Sequence, residues 1–185
     1  MRTAFPTTGG FDELVTLFCL HPADSSSRIF SRFLPLAAAQ RSVYAADLPG
    51  CGESDPAPTL GAADAAAAIA DLAADLRLRQ LDVLGFREGS GVAVELALAR
   101  PDLVRCVVLV GGVPWERMAS IRQPSLVLRL ATEAAVFPAP LPKSLTQVEV
   151  IDATGFPGDP FAGATQPLVE RIDGFLNRYP AVPPR

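Results

Sequence analysis

The sequence predicts an α/β fold: a three-layer α/β/α sandwich around a mostly parallel sheet of about six strands. Three observations carry this expectation. Short continuous apolar runs, such as Leu14–Leu20 and Arg105–Gly111, have the composition of strands buried on both faces. Stretches of helical spacing or short links separate these runs, the alternation expected of parallel strands joined by crossovers. One stretch, Leu81 to Pro101, reads without a break as strand, glycine-bracketed turn and helix.

Composition narrows the class of protein. The 185 residues are 49% apolar, enough for one domain with a substantial core. Sixteen Lys and Arg against twenty Asp and Glu give a net charge of −4, with Lys143 the one lysine. No basic stripe is present, so nucleic acid is not expected as a partner. Met1–Gly10 lacks a basic start followed by an apolar run, and no apolar stretch reaches membrane-spanning length. Neither a signal peptide nor a membrane partner is expected. Cys19, Cys51 and Cys106 are odd in number and form no metal-like cluster; Cys19 and Cys106 sit in apolar runs as small buried thiols do. A cytoplasmic location, with no metal and no cofactor, is the expectation. His21 is the single histidine, which restricts acid–base chemistry severely.

Taken in order, residues 1–13 contain Pro6, Gly9 and Gly10 and read as an irregular lead-in to one domain spanning 14–179. Leu14–Leu20 is the first strand. His21 opens a loop, and Ser27 is placed to cap a helix from Arg28 to about Gln40, with Ile29, Phe33, Leu34 and Leu36 on its apolar side. Ser42–Leu48 is the next strand, followed by the turn-rich stretch from Pro49 to Pro58. An alanine-rich helix from about Gly61 to Arg79 carries Ile69, Leu72, Ala73 and Leu76 at helical spacing. After the strand Leu81–Gly85 a helix runs from about Glu88 to Arg100 and stops at Pro101. Strands Arg105–Gly111, Ser125–Leu130 and Gln147–Asp152 follow; between the first two lies a short link, Gly112–Gln123. Pro138, Pro140 and Pro142 make 134–145 a loop, and Gly155–Gly163 is a second. Leu168, Ile172, Phe175, Leu176 and Tyr179 mark the final helix, before a proline-rich tail, 180–185, expected to fray.

Gly85 and Gly89 bracket the central turn with the G-x-S-x-G spacing of a nucleophile elbow, and Arg87 stands where the nucleophile belongs. The glycines meet a physical need. A strand that turns at once into a helix brings backbone against backbone, and a Cβ at either position clashes.

Several stretches now resemble the α/β-hydrolase superfamily, in that superfamily's order. Leu17-Phe-Cys-Leu-His-Pro is similar to its strand and His-Gly loop. Ala46-Asp-Leu-Pro-Gly-Cys-Gly-Glu-Ser54 resembles its D-x-P-G-x-G-x-S turn, and Val83-Leu-Gly-Phe-Arg-Glu-Gly89 its elbow. Val104–Gly111 resembles the strand after the elbow helix, and Gln123-Pro-Ser-Leu-Val-Leu128 the strand leading to the acid. The resemblance covers roughly 14–179 and implies a core without a lid, because only Trp115–Ile121 is left to hold one. It also implies a degenerate triad. The nucleophile position is Arg87, the acid position Glu133, and the histidine position, after Gly155, is Phe156. A guanidinium keeps its proton and cannot attack a carbonyl, and phenylalanine cannot act as a base.

Each candidate residue has a functional and a plain reading. Arg87, at the N-terminus of the elbow helix, either binds an anion with the Glu88 N–H and an N–H after His21, or pairs with Glu133 or Glu88 and fills a dead site. His21 either lines the cleft or anchors its loop by hydrogen bonds. Cys51 is a reactive thiol or a turn residue, and no cation or base is evident beside it. Ser90 is a displaced nucleophile or a residue of the first helical turn, away from the tip. Glu133 is an orphaned acid or a solvated loop carboxylate.

The candidate ligand-binding set is therefore His21, Arg87, Glu88 and Glu133, with no catalytic residue assigned. Three functions follow from the resemblance: a non-catalytic binding or regulatory protein for a small anionic or acyl ligand or a protein partner, an atypical ester or thioester hydrolase, or a structural subunit pairing with an active relative. A homodimer stays open. Gly85-x-x-x-Gly89-x-Gly91 also matches the nicotinamide-binding turn of short-chain dehydrogenases. Against that, two strand–helix units precede the turn here, and the Tyr-x-x-x-Lys pair is absent, Ala139 standing four residues before Lys143.

Overall fold

The computed structural model describes residues 4–5, 14–58, 61–130, 148–152, 159–163 and 165–181. Among the described residues seven strands form one sheet: β1 (Ala4–Phe5), β2 (Leu14–Leu20), β3 (Arg41–Ala46), β4 (Leu81–Phe86), β5 (Val104–Val110), β6 (Ser125–Arg129) and β7 (Val148–Asp152). Their order is β1-β3-β2-β4-β5-β6-β7. The six long strands run parallel, and β1 pairs antiparallel with β3. The stretch expected to be irregular thus contributes a two-residue edge strand. The helices are α1 (Phe33–Ala37), α2 (Ala62–Asp75), α3 (Glu88–Ala99), α4 (Trp115–Met118) and α5 (Gln166–Leu176).

The sheet separates two apolar clusters, which is why its central strands carry no polar alternation. On one side α1 and α5 pack over Leu17, Cys19, Val43, Leu84, Phe86, Cys106 and Val108. On the other, α2, α3 and α4 cover Phe18, Leu20, Val83, Val107, Leu109 and Val127. Cys19 and Cys106 are fully buried thiols, as their apolar surroundings in the sequence predict.

The helix expected over 28–40 is broken. A 3₁₀ turn, Ser27–Phe30, precedes the five-residue α1. Pro35, in the first turn of α1, has no N–H to donate to the Ser31 carbonyl and its ring crowds that carbonyl, so the helix cannot continue back through Ser31 and Arg32 as one piece. Ser27 is not the cap. Ser26 holds that position without a side-chain bond, and the Ser27 N–H donates to Asp47 Oδ1 at 2.6 Å. The link after β5 contains the single turn α4, with Met118 buried and Trp115 half-buried.

At the N-terminal ends of the strands lies a buried ionic cluster that the sequence reading did not single out. Arg105 on β5 donates Nε to Asp82 Oδ1 at 2.8 Å and Nη2 to Asp82 Oδ2 at 2.5 Å. Arg41 on β3 reaches Asp82 at 3.4 Å, Asp173 of α5 at 3.1 Å and Asn177 at 2.7 Å. The side chains of Arg41 and Asp82 are both 0% exposed. This end of the sheet is a fastening, and the opposite end carries the candidate site.

Candidate functional site

Strand order reverses between β2 and β4: the chain leaves β2 for β3 on one side and later returns to β4 on the other. The crevice beyond the carboxyl ends of strands at such a point is where open α/β sheets hold ligands. The register Leu20↔Gly85 and Phe86↔Val110 brings the loops after β2, β4 and β5 to a common edge.

Arg87 forms the tip of the elbow. It has φ 49° and ψ −115°, a conformation outside the regions open to most L-residues. Its neighbours over-determine this geometry. The Arg87 N–H donates to the Val110 carbonyl at 2.9 Å, and the Ser90 N–H donates to the Arg87 carbonyl at 2.9 Å. A Cβ on Gly85 would stand 2.5 Å from the Gly89 oxygen and the Ser90 Cα, and one on Gly89 would stand 2.2 Å from the Leu20 oxygen. The clash expected from the glycine spacing is therefore present at both positions. The chain after β5 also presses on the tip, since a Cβ on Gly112 would lie 2.3 Å from the Arg87 oxygen.

The Arg87 side chain is exposed, with its guanidinium carbon 5.3 Å from the centre of the Phe86 ring. Glu88, also exposed, begins α3, and the first N–H groups of that helix have no acceptor within it. Holding a non-glycine residue in such backbone costs about 1–3 kcal/mol. Glycine relieves the strain but loses more chain entropy on folding. Arg87→Gly is thus expected to raise stability by about 1 kcal/mol. Urea denaturation of the two proteins checks this, and an unchanged or lower midpoint would mean that the strain at Arg87 does not exceed the entropy cost of glycine.

The ring of His21 is engaged within its own loops, the arrangement of a loop anchor. The ring is fully buried. Its Nε2 accepts the Leu48 N–H at 2.9 Å, so the proton sits on Nδ1, which donates to the Pro22 carbonyl at 2.6 Å. The imidazole ties the loop after β2 to the loop after β3. Burial lowers its pKa from 6.5, outweighing the opposing pull of the Pro22 carbonyl and the Asp47 carboxylate. The folded state therefore keeps His21 neutral at pH values where the unfolded chain already binds a proton. Its stabilising contribution is complete above pH 6.5 and declines as pH falls below it. His21→Gln is expected to flatten the fall in melting temperature between about pH 7 and pH 5. With no other histidine in the chain, a scan series at several pH values isolates the effect.

Asp47 is a site-building residue that the motif contained but whose role the sequence reading left unassigned. Its carboxylate accepts the Ser27 N–H at 2.6 Å and the Glu53 N–H at 2.9 Å, and its carbonyl accepts the Ser54 hydroxyl at 2.7 Å. Burial pushes this carboxyl up, but the N–H groups of Glu53 and Ser27 outweigh it and hold it below the ordinary carboxylate range. The spacing Asp47…Ser54 was the available signal. An acid followed by a glycine-rich turn caps that turn's N–H groups.

Ser90 is fully buried, and its hydroxyl shares its one proton between the Gly111 carbonyl, at 2.7 Å, and the Gly85 carbonyl, at 3.0 Å. It pins α3 to the ends of β4 and β5, as the reading in the first helical turn requires. Cys51 is half-buried and donates Sγ–H to the Ala23 carbonyl at 3.3 Å, a turn contact. Glu133 and Phe156, like the loop over 134–145, lie outside the described residues. Among the described residues no cluster of three or more His, Cys, Asp or Glu could hold a metal, and no helix is long and apolar enough to cross a membrane.

A family model described as the alpha/beta hydrolase fold matches residues 15–153, and the chain belongs to that family. Among characterised proteins it is 34% identical over 101 residues to the pimeloyl-[acyl-carrier protein] methyl ester esterase of Neisseria meningitidis serogroup A / serotype 4A. That match takes in 53% of this chain and 30% of the relative, so less than a third of the relative's length is represented. Two solved structures share the fold over nearly their whole length. Est816, described as an N-acyl homoserine lactone degrading enzyme, has a TM-score of 0.79 at 15% identity, with 94% of this chain and 95% of that one covered. MenH from S. aureus has a TM-score of 0.78 at 12% identity, covering 95% and 97%.

Proposed function

We propose that this chain is a non-catalytic member of the family that binds a small anionic or acyl ligand in the cleft at Arg87. One observation carries the reading. The elbow keeps its strained backbone and its glycine frame, yet presents a guanidinium in place of a nucleophile. A guanidinium has no lone pair for attack at any working pH, while its planar fork suits a carboxylate or phosphate. The N–H groups and dipole at the start of α3 favour the same sign of ligand charge. The remaining candidates support this reading, since His21, Ser90 and Cys51 each use their reactive atom to hold a loop or helix in place. The two other triad changes, Glu133 and Phe156, rest on the resemblance. All three cysteines are free, which fits a reducing compartment.

The ligand class to try first is an acyl chain ending in a carboxylate or its methyl ester, the group named for the esterase relative. Isothermal titration with pimelate and with pimelate monomethyl ester tests this. Arg87→Ala is expected to weaken carboxylate binding by about 10–100-fold, the worth of a charge-assisted hydrogen-bonded pair. Equal binding by both proteins would remove Arg87 from the site. A second reading, an atypical ester or thioester hydrolase, is favoured by the same relative and requires a nucleophile other than the residue at the elbow tip.

A further inference from the structure

The last helix is held in two different ways, and the two holds connect opposite ends of the sheet. Toward the site, Phe161 wedges among Phe30, Phe33 and Phe86 with ring centres 4.8, 5.5 and 5.0 Å away. Phe86 is the residue before Arg87, so Phe161 forms part of the floor under the elbow. From there the chain enters α5, whose Leu168, Val169, Ile172, Phe175 and Leu176 lie in the same cluster as Phe86. At its C-terminal turn α5 meets two arginines rooted in the sheet. Arg41 donates to Asp173 and Asn177, and Arg105 donates to the carbonyls of Leu176, at 3.3 Å, and Tyr179.

Both guanidiniums also share Asp82, which belongs to β4 and stays with the sheet. This arrangement makes the departure of α5 feasible. If the helix leaves, neither arginine is stranded without a carboxylate in the interior, which is the costly outcome when a buried pair is broken. No strand pairing is lost either, because every described strand precedes α5 in the chain. Elements whose contacts separate in this way from those of the sheet open below the global unfolding transition.

We propose that α5 is a latch: it docks and releases as its own unit, clamped by Arg41 and Arg105, and its release withdraws Phe161 from beneath Phe86 and loosens the backbone at Arg87. The significance of this regulation rests on the reading of the Arg87 cleft as a binding site, but its test needs no ligand. Cys19 and Cys106 lie fully buried in the cluster that α5 covers, and burial pushes the Cys106 thiol up to about 12, so it resists alkylation while α5 is docked. Cys51, half-buried on the other side of the sheet, serves as the internal standard.

The full chain and its Asp173→Asn and Asn177→Ala variants are pulsed with iodoacetamide, and backbone amide exchange is followed in parallel. Each variant is expected to speed labelling of Cys106 at least about tenfold, with faster exchange across Leu168–Leu176 and at the Arg87 amide but not at Val83 or Leu84. Asn177→Ala serves as the milder variant should Asp173→Asn fail to fold. Labelling and β4 exchange that rise together would show global opening and overturn the latch. Unchanged labelling in a folded variant would overturn the clamp, and an unchanged Arg87 amide would overturn its link to the site. Failure of pimelate to bind the native protein would strike the site reading alone, because the labelling result does not depend on it.

Discussion

Asp82→Ala is expected to destabilise the protein by about 3–5 kcal/mol, the cost of breaking a buried ion pair from one side. Asp82 stands between two guanidiniums inside the molecule, and its side chain is wholly buried. Removing it leaves Arg41 with Asp173 and Asn177, and leaves Arg105 with carbonyl oxygens only. Burial raises the Asp82 carboxyl above its ordinary value despite Arg105 and Arg41; a buried ionic cluster is in general no large net gain over an apolar core. The loss arises because half of it cannot be taken away cheaply. For a chain of this length the melting temperature should fall on the order of 10 °C. Arg100→Ala, which removes an exposed pair with Asp102, should change stability by no more than about 0.5 kcal/mol. Thermal scans of the two variants compare them directly. A similar small effect for both would mean that water reaches the Asp82 cluster.

The second large effect is at the elbow. Gly89→Ala would set a Cβ 2.2 Å from the Leu20 oxygen and 2.8 Å from the His21 oxygen. Neither side can yield by a rotamer change, because both are backbone, so β2 and α3 must separate. The cost is expected at about 3 kcal/mol, the upper range for overpacking. The damage falls where the loop after β2 meets the start of α3, so ligand binding should be lost with it. Gly91→Ala, two residues on, is the control. Its Cβ would meet only the Ala62 Cβ at 3.7 Å, and alanine inside a helix gains about 0.5–1 kcal/mol over glycine. Urea midpoints that move in opposite directions for the two variants are the expected result.

These two sites also mark what the sequence discloses. The elbow is legible because its constraint is local. Two glycines four residues apart, at the end of an apolar run, announce that a strand and a helix pack without room for a Cβ. The parallel strands are legible for the same reason, most of them as apolar runs of strand length and β7 as the alternating Val148-Glu-Val-Ile-Asp152. The Asp82 cluster is not legible, because its members come from positions 41, 82, 105 and 173 and only the tertiary fold brings them together. Arg41, a charged residue, hides the true start of β3, which the apolar pattern places one residue later. The role of His21 is hidden in the same way, since the N–H that fixes its tautomer belongs to Leu48, 27 positions on. The helix expected over 28–40 fails for a local cause that is visible in the sequence. Pro35 is tolerated in the first turn of α1 but keeps that helix from running back through Ser31, a signal set against the apolar spacing of Ile29, Phe33 and Leu36.

On the proposed reading, the guanidinium at the elbow tip makes this cleft a binding site rather than a site of turnover. Hydrolysis of a panel of p-nitrophenyl esters and acyl thioesters by the native protein and by Arg87→Ala tests it most directly. Both proteins should remain at the background rate of the buffer. Saturable turnover by the native protein, abolished by a single substitution at His21, Cys51 or Ser90, would contradict the account and place the chemistry on that residue.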